Sequence, residues 1–210
     1  MSMTQHSDPL TGLPDRVALE GALKPLIGAD DGVALAALDL DHLLEINAEF
    51  GSKVGDQVLQ TLARLLDESE PGHVYRITGD EFMIVMPGLS LEEAFLRVER
   101  LRKRIEDAAQ EFGLPDRRTV TVTIGVAQRP RDAKDARGLL EASSAALQAA
   151  KEGGRNRVGL PPNEEMVMKS CYYPATSLRK LNTLAKRLSR KESHLLREGL
   201  DDLFRKYDVP

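Results

Sequence analysis

The sequence predicts an α/β (α+β) protein in which a central, mainly antiparallel sheet is flanked by helices, with a small strand-helix-helix module appended at the C-terminus. Three observations carry that expectation. Strand-length apolar runs and helical stripes alternate in β-α-β-β-α-β order, a ferredoxin-like or palm layout. The stretch Tyr75–Met86 places apolar residues on both sides of the tetrad Thr78-Gly79-Asp80-Glu81, so it reads as a β-hairpin whose tip carries adjacent carboxylates. Charge is unevenly divided: residues 166–210 hold 10 Lys and Arg against 5 Asp and Glu, which leaves 19 against 28 in the rest. The division is therefore an acidic body over residues 1–160, a linker over 161–165 containing Pro161-Pro162-Asn163, and a basic module over 166–210.

With 210 residues, 41% hydrophobic and 30% charged, the chain suffices for one good core plus an appendage. No apolar run approaches membrane-spanning length, and no basic segment followed by an apolar stretch opens the chain. Neither a membrane partner nor a signal peptide is expected. The single cysteine, Cys171, excludes an intrachain disulfide framework and a cysteine-rich zinc site, which fits a cytoplasmic location.

In chain order, Asp8-Pro9-Leu10-Thr11-Gly12-Leu13-Pro14-Asp15-Arg16 packs turn formers around two leucines and leads into a helix reaching about Leu26. Val33–Asp41 is a nearly continuous apolar run ending in acid, a strand buried on both faces with carboxylates at the end where α/β sheets hold ligands. Asp39 and Asp41 share a face, so one suits a metal while the other suits capping of the next helix. His42–Glu49 is a short helix, Phe50–Gly55 a loop, and Asp56 opens an amphipathic helix over Gln57–Leu66. Asn47 and Asp56 flank that loop with groups that match a guanine edge, although Asp56 equally suits an N-cap. Gly79 lets the hairpin backbone turn tightly and lie close to a ligand. Ser90–Phe112 is a long helix with Phe95, Val98, Leu101 and Ile105 facing the core. Thr119–Val126 alternates as a strand, and a helix follows from about Ala136 to Lys151. Lys151 and Arg155, around a Gly turn, either neutralise phosphate or complement the helix dipole.

Taken together, residues 7–160 resemble the GGDEF family of diguanylate cyclases. The matching motifs are Asp8–Arg16, Asp39-Leu40-Asp41, Ile46-Asn47, Phe50-Gly51, Val54-Gly55-Asp56, Thr78-Gly79-Asp80-Glu81-Phe82, Ile124-Gly125-Val126, and Ala150-Lys151 through Gly154-Arg155-Asn156, in family order. The resemblance implies a nucleotidyl-cyclase palm that condenses two GTP into cyclic di-GMP, one GTP in each half-site of a homodimer. It implies that Asp39, the Leu40 carbonyl and Asp80 hold Mg2+ (or Mn2+), with Glu81 as the neighbouring acid. It further implies that Asn47 and Asp56 read guanine while Lys151 and Arg155 hold the triphosphate. Hard oxygen ligands are what a cation bridging nucleophile and phosphate requires.

Four positions depart from the family pattern. Thr78 replaces the first glycine of the signature, Leu44 a phosphate-contacting lysine, and Ser52 a histidine. Ser69-Glu70-Pro71-Gly72 stands where an R-x-x-D product-inhibition motif is expected, so that inhibition is expected to be missing.

In the tail, Met166–Pro174 reads as a short strand, Thr176 or Ser177 as an N-cap, and Leu178–Leu188 and Glu192–Tyr207 as amphipathic helices. Leu195, Leu196, Leu200, Leu203 and Phe204 are expected to face inward, and since so short a segment cannot bury this stripe alone, the module is expected to pair with a copy of itself or with the catalytic body. This order resembles the ribbon-helix-helix family, which implies that Met168, Ser170 and Tyr172 face a DNA groove. Lys169, Arg179, Lys180, Lys186, Arg187, Arg190 and Lys191 would then contact phosphates. The alternative is a solvated basic face on a module that only dimerises, with Cys171 a small buried hydrophobe. Two functions follow: a diguanylate cyclase held as a dimer by its tail, or a GTP- or cyclic di-GMP-sensing regulator of a DNA-binding module.

Overall fold

A computed structural model of the chain describes residues 6–27, 32–114, 118–162, 172–188 and 192–207. It divides into two compact units, Met1–Asn163 and Glu164–Pro210. The first unit runs α1 (Arg16–Ile27), β1 (Val33–Leu40), α2 (Leu43–Phe50), α3 (Ser52–Ser69), β2 (Val74–Thr78), β3 (Glu81–Pro87), α4 (Leu91–Asp107), β4 (Val122–Arg129), α5 (Ala136–Glu152) and β5 (Val158–Gly159). The second holds α6 (Ala175–Leu188) and α7 (Glu192–Lys206).

The first unit has the expected α/β architecture. Its strands lie in the order β2-β3-β1-β4-β5, antiparallel throughout except for the parallel β4–β5 pair. Strand β1 is central because it is apolar at almost every position and so gains from burial on both faces. One face, through Ala34, Ala36, Leu38 and Leu40, packs on Ile46, Val58, Leu62, Leu66, Val98, Leu101 and Ile105 of α2, α3 and α4. The other, through Val33, Leu35 and Ala37, packs on Leu19 and Leu23 of α1 and Leu139 and Leu147 of α5. Helix α5 lies close on β4 because Gly125 has no side chain; a Cβ there would stand 2.0 Å from the Leu147 nitrogen.

Several boundaries differ from those read in the sequence. Helix α3 begins at Ser52, so the expected loop shrinks to Gly51, whose φ of 86° separates two helices that otherwise run on. Asp56 is thus inside α3 and not at its start, because Gly55, Val58 and Leu59 already belong to the buried stripe. Helix α4 starts where expected, with Ser90 and Glu93 exchanging both bonds of a capping box. It ends at Asp107, five residues short of Phe112, and its buried stripe uses Ala94 where Phe95 was expected. Leu91, Ala94, Val98, Leu101 and Ile105 keep three- and four-residue spacing, which leaves Phe95 beside the stripe.

In the second unit, α6 starts at Ala175, and the Pro174 carbonyl accepts from the Ser177 and Leu178 nitrogens at 2.9 and 3.2 Å. Neither Thr176 nor Ser177 is therefore the cap; proline before the first turn ends the extended chain. Tyr172, Tyr173 and Pro174 are outside any strand and Tyr172 is fully exposed, while residues 166–171 of the expected ribbon, including Met168, Ser170 and Cys171, lie outside the described residues, as do Lys169, Arg190 and Lys191. Leu196, Leu200 and Leu203 are 44–49% exposed in the single chain, and Leu178 and Leu188 45–46%, in keeping with a module too small to bury its apolar stripe alone. Two short helices cover only part of each other's apolar face. Among the described residues no helix is long and apolar enough to cross a membrane.

Candidate active site

The acidic end of β1 and the hairpin tip lie side by side. Asp39 is opposite Glu81 of β3, and the Leu40 nitrogen donates to the Asp80 carbonyl at 3.2 Å. The pairing follows from register: Leu35 opposite Val85 and Leu38 opposite Phe82 align the apolar runs, and the acids then coincide. Gly79 forms the turn with φ 38° and open space where a Cβ would stand.

Asp39 is 13% exposed, and its Oδ2 lies 2.8 Å from Lys151 Nζ at the end of α5. Burial pushes its carboxyl above the ordinary value of 3.8, and the charges of Asp80 and Asp41 push the same way against the pull of Lys151. Asp41 does not cap α2. It is buried, accepting from Thr121 Oγ1 at 2.8 Å, Thr123 Oγ1 at 2.6 Å and the Asn156 nitrogen at 3.2 Å. The cap position falls to His42, in a left-handed conformation and without a side-chain cap bond.

This corner fits a hard divalent cation. The residues that would hold it are Asp39 and Asp80, with the Leu40 carbonyl and the neighbouring Glu81, all oxygen donors although their side chains are not gathered into a preformed cage. The ammonium of Lys151 against Asp39 marks a place where positive charge is favoured. Among the described residues no three acidic, histidine or cysteine side chains form a ready-made cluster.

Asn47, near the end of α2, lies against Gly55 of α3, the residue before Asp56. Asn47 Oδ1 is buried and without a hydrogen-bond partner, an acceptor left over once the fold is complete. Asp56 is exposed on α3 next to Gly55, where a Cβ would stand 1.9 Å from that same oxygen. The sequence showed the two polar residues but not that the glycine between them makes room for one.

Beyond Lys151 the chain turns through Gly154, Arg155 and Asn156 with φ of 115°, 60° and 45°. Two non-glycine residues in this region cost about 1–2 kcal/mol each, so other contacts must hold them. Asn156 supplies those contacts. Its Oδ1 accepts from Arg102 Nη1 at 2.7 Å and its Nδ2 donates to Glu106 Oε1 at 2.9 Å. Hydrogen bonds from Asn156 and then Lys103 hold the Glu106 carboxyl down at about 2. Arg155 itself is exposed, and its charge reaches Glu45 on α2, whose carboxyl is lowered first by the His42 hydrogen bond.

Arg76 was not singled out in the sequence, although a lone cation within an apolar strand pattern was the signal. It is 9% exposed, bonds Asp8 Oδ1 at 2.6 Å and donates to the Gly79 carbonyl from Nε and Nη2 at 3.1 and 2.6 Å. It thereby ties the opening turn to the hairpin tip. Of the departures, Leu44 is 80% exposed on α2, and Thr78 and Ser52 are exposed. Around Ser69–Gly72, Glu70 is paired with Arg97, and Arg104 bonds Ser69 Oγ and Glu68 at 2.8 and 2.7 Å.

Over residues 5–157 the chain matches the family described as "Diguanylate cyclase, GGDEF domain". Diguanylate cyclase DgcP of Pseudomonas aeruginosa is 36% identical over 160 residues, covering 72% of this chain and 23% of that protein. The uncharacterized protein YhcK of Bacillus subtilis is 34% identical over 167 residues, covering 76% of this chain and 46% of that one. The chain thus spans less than half the length of these curated relatives. Two solved structures share the fold. The GGDEF domain of DgcB from Caulobacter crescentus in complex with c-di-GMP has a TM-score of 0.66 at 26% identity, over 76% of this chain and 97% of that one. The active GGEEF domain of a diguanylate cyclase from Vibrio cholerae has a TM-score of 0.66 at 26% identity, over 72% and 99%.

Proposed function

The chain belongs to the GGDEF family of diguanylate cyclase domains, and we propose that it condenses two GTP into cyclic di-GMP with release of pyrophosphate, each half-site of a homodimer holding one GTP. The observation that carries the proposal is the convergence of β1 and the hairpin, with Asp39 opposite Glu81 and Leu40 bonded to Asp80. In this reading Asp39, the Leu40 carbonyl and Asp80 hold Mg2+ or Mn2+, with Glu81 beside them. The bound cation supplies charge neutralisation at the α-phosphate and favours the ionised 3′-hydroxyl. Lys151 and Arg155 bind the triphosphate, and Gly79 lets the turn approach it. Asn47 and Asp56 orient guanine, supported by the unpartnered Oδ1 of Asn47. Bond formation joins a 3′-oxygen of one GTP to the α-phosphorus of the other as pyrophosphate leaves; two loaded sites must face each other, so dimerisation raises the effective concentration. Leu44 removes one charge-assisted phosphate contact, worth about 1.5–3 kcal/mol, so substrate binding is expected to be weaker than with a cation there. Without an R-x-x-D arginine, product is expected not to inhibit through that motif.

Purified protein incubated with GTP and Mg2+ should yield cyclic di-GMP, with a rate rising more steeply than linearly in protein. Failure of the wild-type chain to form product at high protein concentration would overturn the assignment. A finer test is G55A: its Cβ displaces the Asn47 amide, and binding of a non-hydrolysable GTP analogue should weaken about tenfold, since a site polar group is moved, while the fold persists.

The exposed leucines of α6 and α7 favour a second copy of the tail as their cover. Changing Leu200 and Leu203 to glutamate is expected to turn a dimer into a monomer in sedimentation, with cyclic di-GMP formation falling in parallel; an unchanged mass would show that the tail is not the dimeriser. A second reading rests on Arg179, Lys180, Lys186 and Arg187, exposed along α6. These suit duplex DNA phosphates, with Met168, Ser170 and Tyr172 as groove contacts, in a regulator that binds GTP or cyclic di-GMP. A salt-dependent shift of duplex DNA, lost on deleting residues 163–210, supports it.

A further inference from the structure

We infer that Asn156, whose side chain is held by Arg102 and Glu106 of α4 and whose main-chain nitrogen is anchored at the end of β1, is a positioning residue that sets the phosphate-binding Arg155. The inference rests on the proposed role of Arg155 and adds α4 to the working parts of the site. Asn156 bonds α4, β4 and the residue that follows β1. Its side chain is read on both atoms by α4, the oxygen by Arg102 Nη1 at 2.7 Å and the nitrogen by Glu106 Oε1 at 2.9 Å, which leaves the amide a single orientation. Its main-chain nitrogen donates to Asp41 Oδ2 at 3.2 Å and to Thr123 Oγ1 at 3.1 Å. Asp41 lies two residues beyond Asp39, so the contact fixes the end of β1.

Arg102 is itself clamped. It is 12% exposed, with Nε and Nη2 on Glu99 at 3.0 and 2.7 Å and Nη1 also 3.3 Å from Glu106. Arg155 has an exposed side chain. Its nitrogen donates to the Ala150 carbonyl at 3.2 Å, and its φ of 60° is a conformation that a side chain disfavours. With Asn156 locked at the next position, the turn is fixed from its far end and Arg155 stays directed at the phosphates. Removing the Asn156 amide frees the turn to relax, and Arg155 spreads over other conformations.

The test uses the full chain and a non-hydrolysable GTP analogue with Mg2+, measured by calorimetry beside thermal melting. N156A should bind about tenfold more weakly, as for loss of an outer contact that orients a ligand group. N156G, which removes the amide but tolerates the positive φ, should show the same loss even where N156A folds poorly. E106A should follow N156A, and E106Q, which keeps the acceptor, should recover most of the affinity. The decisive comparison is with R155A: R155A/N156A should bind no more than about twofold worse than R155A, whereas R155A/N47A should lose affinity additively. Wild-type binding left unchanged by both N156A and N156G, or additive losses in R155A/N156A, overturns the inference alone. A wild-type chain that binds no GTP analogue overturns the functional reading and takes this inference with it.

Discussion

D39N is expected to lower cyclic di-GMP formation by about a hundred- to a thousand-fold or more, because it removes a carboxylate that neutralises charge at the reacting phosphate. The same change is expected to leave the metal-free fold as stable at pH 7 as the wild type, or more so. Burial, with the charges of Asp80 and Asp41, holds the Asp39 carboxyl above its ordinary 3.8 despite Lys151. A carboxyl raised in the folded state costs stability once it ionises: the cost is nil well below 3.8 and grows as pH climbs through the raised folded value. D39N removes that cost, so its advantage in melting temperature should shrink and vanish on acidification to below about pH 4. Lys151 loses its partner but is partly exposed and keeps water. Chromatography of the product and melting curves across pH read both halves. Wild-type turnover in D39N would sink the assignment of this residue, and a lower melting temperature at pH 7 would show Asp39 to be a structural ion-pair partner first.

R76A should produce the largest loss of stability, about 3 kcal/mol, near the lower end for breaking a buried pair because one edge of Asp8 reaches solvent. Asp8 keeps Thr11 as a donor, to Oδ1 from the nitrogen at 2.8 Å and from Oγ1 at 2.7 Å, but it loses its cation, and the Gly79 carbonyl loses both donors. A fall of about 1–2 M in the urea midpoint is expected for a domain of this size. Burial alone raises the Asp8 carboxyl, but Thr11 and Arg76 outweigh it and hold the group below its ordinary 3.8. The wild type should therefore gain stability from this pair at neutral pH and lose it as pH falls through the lowered folded value, a loss that R76A shows to a smaller degree. R76K, with charge but no fork, should recover only part of the midpoint. An unchanged midpoint in R76A would mean that the opening turn and the hairpin are held by other contacts.

Strand and helix types were legible wherever the apolar period was long and unbroken, as in β1 and α5, and the acids of Asp39 and the hairpin tip stood out because each interrupts an apolar run. Boundaries failed where a glycine-rich segment was read locally. Ser52–Gly55 looks like a loop until Asn47 and the core claim Gly55 as the inner face of α3. Phe95 outranks Ala94 in hydrophobicity, yet position on the helix, and not size, decided which one faces the sheet.

What the order of residues determined was the list of parts: a buried acidic strand, a two-carboxylate hairpin, a cationic turn after a helix, and a basic tail, since each depends on local period and composition. Partnership was decided only by folding. Lys151 meets Asp39 across 112 positions, Arg76 meets Asp8, and Asn156 joins α4 to Asp41, because close packing of helices on a twisted sheet brings together groups whose separation along the chain carries no signal.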